Sequence, residues 1–524
     1  MASHPFFQMI RLTPPGLAAV LLAVSACSAP SSAQPAKLGT IDFPTSGSAE
    51  AKPDFILGVL FLHSFEYDSA ANQFRRAQAA DPGFAMAYWG EAMTRTHPVW
   101  NEQDIAAARA TLNRLAPSAA GRQSKATTAR EKSYLNAVEI LYGEGSKPRR
   151  DTLYSAAMKK LVDAYPDDFE AKAFYSLSLL GLNQGIRDLA TYRRAGIVAE
   201  SVFSRNPDHP GGAHYVIHSY DDPDNAPRGL NAARAYSKIA PGAAHAQHMT
   251  THIFLALGMW DDVVSQNEIA SGHDHDAWTP NHYTQWLNYA YLQQGRYNDA
   301  LHMLEKMRAM NARGRQLWGL TTMRARYLID SEQWDSPAAT WPMDISALGN
   351  DGAAYWAFVN GYRATSKGDK AGASTALAAL SQANAAAGGS LDPANAILET
   401  ELAALVRFSD GKKDEALALM RDATRREDAM PFEFGPPFVL KPSHELFGEM
   451  LLEMGMPKEA HAEFSRALHL APKRARSMLG LARAAMAMGD SAGAAKSYAE
   501  LRSIWHAADP TLKNLPELKM FGGN

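Results

Sequence analysis

The chain has 524 residues, of which 46% are hydrophobic and 20% charged, and its formal net charge is −3. This length allows several domains or one long solenoid with a large core. The chain lacks the basic stripe that nucleic-acid binders carry, so we expect no nucleic-acid partner. The single cysteine, Cys27, excludes an internal disulfide and a cysteine-based zinc site.

Residues 1–26 have the pattern of an export signal. Arg11 precedes the apolar run 17–24, which is too short to span a bilayer, and small residues follow. The string Val24-Ser25-Ala26-Cys27 resembles the lipobox of bacterial lipoproteins, which implies lipidation of Cys27 and a membrane anchor. The alternative is an ordinary signal cut after Ala33. We expect an exported, lipid-anchored protein that faces the periplasm, and Ser28 resembles a signal for outer-membrane sorting.

Residues 27–50 are rich in Ser, Ala, Pro and Gly, which predicts a flexible linker. From residue 51 onward, apolar residues recur three and four positions apart, which predicts helix after helix. Several glycines end helical stretches and are followed five residues later by a small residue. These are Gly258, Gly295, Gly368, Gly411, Gly455 and Gly489. Glycine suits the end of a first helix, and a period of about 34 residues with two helices per unit is typical of tetratricopeptide repeats.

Two stretches resemble the tetratricopeptide repeat in their small and large packing residues. They are Leu57, Gly58, Phe61, Ala70, Phe74, Ala77, Pro82 and Phe447, Gly448, Leu451, Gly455, Ala460, Phe464, Ala467, Pro472. The resemblance implies an all-α, tetratricopeptide-like helical-repeat solenoid, a superhelix of about ten helix pairs with a concave groove. We place N-terminal repeats at 51–300, degenerate helical repeats at 301–430, C-terminal repeats at 431–507 and a tail at 508–524.

Nine of the seventeen histidines fall between His209 and His282, and four of them form two His-x3-His pairs. Residues four apart lie on one face of a helix, one turn above each other. Two such pairs can direct four imidazoles at a single space, and imidazole is the commonest protein ligand for zinc, copper and iron. The predicted metal ligands are His214, His218, His248 and His252.

The repeat register supports this clustering. If Pro207 and Pro241 occupy position 32, each pair falls at positions 5 and 9 of its own first helix. The resemblance to tetratricopeptide repeats implies that positions 2, 5 and 9 face the groove. His245 then occupies position 2, and so does His282 if Gly295 occupies position 15. Neighbouring helices lie about 8–10 Å apart, so two of them can share one ion. Further candidate ligands or supporting residues are His63, Glu91, His97, His245 and His282.

An all-histidine set without thiolate favours copper, with zinc or iron as alternatives. The paired His-x3-His helices also resemble the coupled copper sites of haemocyanin and tyrosinase in spacing. We therefore predict an exported metalloprotein with its site in the concave groove, and a copper-dependent oxidoreductase as its activity. Zinc hydrolysis is the weaker choice because no glutamate adjoins the pairs as a base for water. Glu445 and Glu449 would reach the histidines only if the array closed on itself.

Two alternatives stay open from the sequence. One is a non-catalytic scaffold in the cell envelope whose groove binds a peptide or protein partner. The other is a metal carrier without turnover. The groove would take a small-molecule or peptide ligand in either case. The strings at 209–218 and 240–254 also resemble a poorly characterised group of exported bacterial tetratricopeptide lipoproteins with paired His-x3-His motifs, and this resemblance implies no particular chemistry.

Overall fold

Helices supply nearly all regular secondary structure in the ranges that the computed structural model describes, which are 37–183, 187–272, 279–310, 312–513 and 515–520. The first nine are α1 (Lys52–His63), α2 (Tyr67–Ala80), α3 (Ala85–Met93), α4 (Ile105–Leu115), α5 (Ala119–Lys125), α6 (Ala129–Leu141), α7 (Lys147–Ala164), α8 (Phe169–Leu180) and α9 (Leu189–Arg205). Two short antiparallel strands, β1 (Thr96–His97) and β2 (Glu102–Gln103), pair between α3 and α4.

The central helices are α10 (Pro210–Tyr220), α11 (Ala226–Ile239), α12 (Ala244–Ala256), α13 (Trp260–Ala270), α14 (His282–Gln293), α15 (Tyr297–Arg308), α16 (Arg315–Ser331), α17 (Gly349–Ser366) and α18 (Lys370–Ala387). The last are α19 (Pro393–Ser409), α20 (Lys413–Asp428), α21 (Ser443–Glu453), α22 (Pro457–Leu470), α23 (Ala475–Ala487), α24 (Ser491–Ile504), α25 (Pro510–Lys513) and α26 (Pro516–Met520). Within the described ranges, no helix combines the length and hydropathy needed to cross a bilayer.

Consecutive helices pack as antiparallel pairs, and the prediction of an all-α helical-repeat solenoid is confirmed. All six glycines that the repeat pattern singled out have φ between 65° and 81°, where a side chain would strain the backbone. At the packing positions glycine has a different role. The Phe464 ring lies against both Gly448 and Gly480, where an added Cβ would overlap it. The repeat spacing therefore encodes both the turns and the close approach of neighbouring helices.

The repeats are least regular between α15 and α17. Residues 332–348 connect α16 to α17 through two 3-10 turns instead of a tight loop. The buried guanidinium of Arg324 donates from Nε to the Ala338 carbonyl at 2.6 Å, and Trp334 and Trp341 are buried nearby. This connection shifts the repeat register, which explains why residues 301–430 match the repeat pattern poorly.

The prediction of a flexible linker over 27–50 is wrong for residues 37–50, which pack along the N-terminal repeats. Leu38 and Phe43 are buried in the core. The backbone N–H of Thr40 donates to the Asp208 carbonyl at 2.9 Å, and the Ser46 N–H donates to Glu131 at 2.7 Å. Proline, glycine and serine content predicted the lack of helix correctly, but the apolar residues between them anchor this segment.

The C-terminal repeats return to the middle of the chain. The Trp260 indole donates to the Lys473 carbonyl at 3.0 Å, and the Trp505 indole donates to the Gln293 carbonyl at 3.0 Å. Between these contacts, Arg474 is almost completely buried and donates to Glu445 at 2.8 Å and to Asp330 at 3.2 Å. The array therefore closes upon itself around a buried group of charges.

This closure gives Glu445 and Glu449 a structural role, not one at the histidines. The Glu445 carboxylate accepts from Arg474, from the buried Lys441 at 3.0 Å and from Ser477 at 2.6 Å. Glu449 accepts from Lys441 at 2.7 Å. Both carboxylates are occupied by cations, so they supply no free acid or base to the histidine cluster.

Replacing Arg474 tests the closure. We expect Arg474→Met to lower the free energy of unfolding by about 3–5 kcal/mol, because it leaves the buried carboxylate of Asp330 without its cation and removes one of the two cations that hold Glu445. Urea unfolding followed by circular dichroism measures the change. Arg466→Met is the matched control, since its pair with Asp428 is partly exposed and contributes about 0–1 kcal/mol. Equal losses in the two variants would contradict a closure held by buried charges.

Candidate metal centre

Three first helices, α10, α12 and α14, bring six imidazoles together. Ligand nitrogens within each of two groups lie within 4.8 Å of one another. We call them half-site A (His214, His218 and His245) and half-site B (His248, His252 and His282). The groups adjoin, since the ring centroids of His218 and His252 are 5.5 Å apart and those of His245 and His248 are 6.3 Å apart.

Both half-sites use histidines at the same three positions of the repeat. One first helix supplies the histidines at its positions 5 and 9, and the next first helix supplies the histidine at position 2. In half-site A these helices are α10 and α12, and in half-site B they are α12 and α14. Half-site B is thus half-site A displaced by one repeat.

This arrangement divides the four predicted ligands between two groups. His214 and His218 group with His245, whereas His248 and His252 group with His282. The sequence predicted that each His-x3-His pair lies on one face of a helix, and the repeat register indicated His245 and His282 as further candidates. The sequence did not show which helix each third imidazole would join, because that depends on the rotation between consecutive repeats.

Three of the imidazoles have a defined tautomer. The Nδ1 of His214 lies 2.6 Å from the His63 carbonyl, and that of His252 lies 2.9 Å from Asp221 Oδ2. The Nδ1 of His248 lies 2.8 Å from Asn267 Oδ1, whose amide nitrogen donates to the Val263 carbonyl and so fixes its orientation. These partners are acceptors, so each Nδ1 carries the proton and each Nε2 presents a lone pair.

The Nε2 atoms face the interior of the cluster. Those of His248 and His252 lie 3.3 Å apart, although both are acceptors in these tautomers. Those of His214, His218 and His245 are buried and have no hydrogen-bond partner among the described residues. Buried polar atoms are nearly always paired in folded proteins. The Nε2 atoms of five histidines thus lie close together without a hydrogen-bond donor among the described residues. They belong to His214, His218, His245, His248 and His252.

Burial keeps these imidazoles neutral. It lowers the pKa of His214 to about 3, and the hydrogen bond to the His63 carbonyl opposes part of this shift. It also holds the pKa values of His218, His245, His248 and His252 well below 6.5, with neighbouring imidazoles lowering that of His218 and His245 further. At neutral pH the nitrogens therefore have free lone pairs, as metal ligation requires.

Asp221 connects the cluster to a buried cation. Its carboxylate contacts Arg187 as well as His252, and the His218 Nδ1 lies 3.9 Å away. Burial raises the pKa of the Asp221 carboxyl to about 6, and the Arg187 guanidinium opposes the rise. Asp221 thus anchors one imidazole and is itself held by a cation, as is common for carboxylates behind metal-bound histidines.

Aromatic side chains that the sequence did not single out line the cluster. The Phe65 ring centroid lies 4.3 Å from that of His214, 5.8 Å from His218 and 5.5 Å from His245. Trp286 lies 4.4–5.5 Å from the three rings of half-site B, and Phe434 lies 4.9 Å from His252. Phe65 and Phe434 come from distant parts of the chain, so no local pattern could have identified them.

An apolar cavity of about 150 Å³ has Asp221 among its lining residues. Its walls come from α12, α13, α14, the end of α22 and the segment 427–444, which runs from the end of α20 into α21. Among the residues that line it are Leu255, Trp260, Tyr289, Met430, Phe432 and Phe438. The cavity has the size and character to hold a small apolar group.

The side chain of His63 belongs to a separate, fully hydrogen-bonded cluster with Glu170 and His209 and is not grouped with the imidazoles of half-site A. Its Nε2 lies 2.8 Å from Glu170, and its Nδ1 lies 2.9 Å from the Tyr215 hydroxyl. The Nε2 of His209 lies 3.0 Å from Glu170, and its Nδ1 accepts from the Gly212 N–H. Because that Nδ1 is an acceptor, the proton is on Nε2, which cannot bind a metal. His63 contributes to half-site A only through its backbone carbonyl.

Glu91 and His97 do not reach the imidazoles either. Glu91 is buried and paired with Arg75 at 3.0 Å and with Arg114 and Gln78, which occupies its carboxylate. His97 stacks on Tyr67 with ring centroids 4.0 Å apart, and its Nδ1 lies 3.4 Å from Glu102. The predictions for Glu91 and His97 assumed a superhelix wound tightly enough to bring these residues over the groove. Cys27, His273 and His275 lie outside the described residues.

The comparisons with known proteins concern the repeats. Residues 451–504, from the end of α21 to the end of α24, match the tetratricopeptide repeat family. Among solved structures, the chain is similar to the TPR domain in a crystal structure of P58(IPK), with 12% identity, 84% of this chain and 99% of that chain covered, and a TM-score of 0.23. No curated protein matches the chain. Together with the helix pairs, the family match defines a tetratricopeptide-like helical-repeat protein.

The His63–Glu170–His209 cluster gives a prediction about stability. In Glu170→Gln, one amide N–H would face an imidazole N–H, and we expect a loss of about 1–3 kcal/mol in the free energy of unfolding at neutral pH. Burial alone would raise the pKa of Glu170, but His209 and His63 lower it to about 2. The difference in the free energy of unfolding between wild type and Glu170→Gln should therefore be complete above pH 4.5 and decrease as the pH falls towards 2.

Urea unfolding at a series of pH values measures this difference. Glu144→Gln is the control, because the Glu144 side chain is 98% exposed and its removal should leave the curve unchanged at every pH. A Glu170→Gln curve that runs parallel to wild type down to pH 3 would show that the cluster does not depend on the ionised carboxylate.

Proposed function

We propose that this helical-repeat protein binds two transition-metal ions, one in each half-site. The observation that supports this proposal best is the 3.3 Å separation of the His248 and His252 Nε2 atoms, which are both acceptors. Two lone pairs at this distance repel each other unless a cation lies between them. Two metal–nitrogen bonds of about 2.05 Å at a tetrahedral angle place their nitrogens about 3.3 Å apart.

Copper is the metal that we propose. Each half-site offers three neutral imidazoles without a thiolate, a donor set that suits copper and zinc. The carboxylate closest to the rings, that of Asp221, is engaged by His252 and Arg187, so it is not free to activate water for hydrolysis. We therefore propose an oxidoreductase. Oxygen uptake by the copper-loaded protein with ascorbate, and its loss in His248→Ala/His252→Ala, would support this activity.

A second candidate is a non-catalytic scaffold that binds a peptide or protein. The family match at 451–504 favours it, since such repeats commonly bind peptides, and the comparisons contain nothing about metals or oxidation. The apolar cavity beside Asp221 supports a small-molecule or side-chain ligand in either case. We also propose export and lipid anchoring in the cell envelope, on the basis of the sequence around Cys27 alone.

Metal content separates the two candidates. We expect elemental analysis and calorimetric titration to give two copper ions per chain for wild type and one for His248→Ala/His252→Ala. The control is His302→Ala/His506→Ala, which also removes two imidazoles but from exposed positions, and which should retain both ions. Circular dichroism of the metal-free variants verifies that they fold. Equal, negligible metal in all three proteins would leave the scaffold as the better description.

Asn267 gives a test of orientation. Its Oδ1 fixes the proton of His248 on Nδ1, and removing such a partner typically weakens metal affinity about 10–100-fold. We expect Asn267→Ala to weaken the binding of one ion by this factor in competition with a chelator. Asn288→Ala is the matched control, because Asn288 is also buried but donates to the Ala300 carbonyl. An equal loss in both variants would indicate general destabilisation and contradict this role.

A further inference from the structure

The two half-sites differ in what covers them. His214, His218 and His245 are all buried, whereas half-site B contains the exposed His282 beside the buried His248 and His252. The repeat places His245 and His282 at equivalent positions of consecutive first helices. The difference in exposure between His245 and His282 therefore comes from the residues around them and not from their position in the repeat.

The turn between α1 and α2 closes half-site A. Phe65 is only 7% exposed, has φ of 55°, and lays its ring against all three imidazoles. A left-handed backbone at a bulky residue is costly and persists only where surrounding contacts impose it. Here the Phe65 N–H donates to the Leu62 carbonyl and the Glu66 N–H donates to the Phe61 carbonyl.

The outer edge of His245 is covered as well. The Trp100 ring lies 6.1 Å from the His245 ring, and the backbone N–H of His245 donates to Glu66 at 3.3 Å. Elements far away in sequence thus enclose the position 2 imidazole of half-site A. In half-site B, the rings that contact His282 among the described residues are those of His248, His252, Tyr283 and Trp286. No equivalent of Phe65 or Trp100 covers its outer edge in the described part of the chain.

We infer that small oxygen- or nitrogen-donor molecules from solvent coordinate the ion in half-site B and not the ion in half-site A. The inference rests on the proposed function, because it requires that both half-sites hold an ion. Three imidazoles leave a fourth position on a four-coordinate ion. In half-site A the Phe65 ring packs over the imidazoles, and in half-site B the exposed edge at His282 leaves an approach. A substrate would therefore bind first at half-site B.

Cobalt(II) and azide provide the test, since the visible absorption of cobalt(II) changes when an external ligand binds. The variants His214→Ala/His245→Ala and His248→Ala/His282→Ala remove positions 5 and 2 of half-sites A and B, respectively, and are matched in design. We expect wild type to bind two cobalt ions and one azide. His214→Ala/His245→Ala should keep one cobalt ion, in half-site B, and its spectrum should still respond to azide. His248→Ala/His282→Ala should keep one cobalt ion, in half-site A, and its spectrum should not respond to azide.

The outcomes separate the two proposals. If wild type binds no cobalt, the proposed metal centre fails. If it binds two cobalt ions but two azide ions, or if azide changes the spectrum of the half-site B variant, the centre stands and the inference is overturned. If a double variant does not fold, two azide ions per wild-type chain would still overturn the inference.

Discussion

The step from one first helix to the next is the constraint on which the candidate site depends. Positions 5 and 9 of one helix lie beside position 2 of its successor, and this contact occurs from α10 to α12 and again from α12 to α14. Glycine turns with positive φ keep the step regular, as at Gly258 between α12 and α13. A second half-site therefore needs only histidines at the same positions one repeat later.

Clusters of buried histidines need not bind metals, and the two kinds in this protein differ in their hydrogen bonds. Around Glu170 every ring nitrogen of His63 and His209 has a partner, and the carboxylate supplies the negative charge. In the half-sites, acceptors hold the Nδ1 atoms of His214, His248 and His252, and the Nε2 atoms of His214, His218 and His245 have no hydrogen-bond partner among the described residues. The first cluster is complete as a structural link between α1, α8 and α10. The second leaves buried nitrogens without partners among the described residues, and these are the atoms that the proposed ions would bind.

The sequence predicted the part of this structure that is periodic. Glycine and alanine spacing gave the helix pairs, and the two His-x3-His pairs gave four of the six imidazoles. The division into half-sites depends on the rotation between repeats, which spacing does not encode. Contacts between segments that are distant in the chain could not be predicted from the sequence either. The carbonyl of His63 behind His214, the Phe65 ring and the pairing of Glu445 with Arg474 all arise from closure of the array.

The energetics of folding favour a ligand at the half-sites. A buried polar atom without a partner costs about 1–3 kcal/mol, and the Nε2 atoms of His214, His218 and His245 are three such atoms. Total stabilities of domains are only about 5–15 kcal/mol, so this cost is large. Peptide contacts in an open groove would not relieve it, because these nitrogens face each other and not the solvent. An ion would relieve it at each half-site, and its binding energy would then add to the stability of the fold. On this argument the proposed ions, where bound, would stabilise the repeats around α10, α12 and α14.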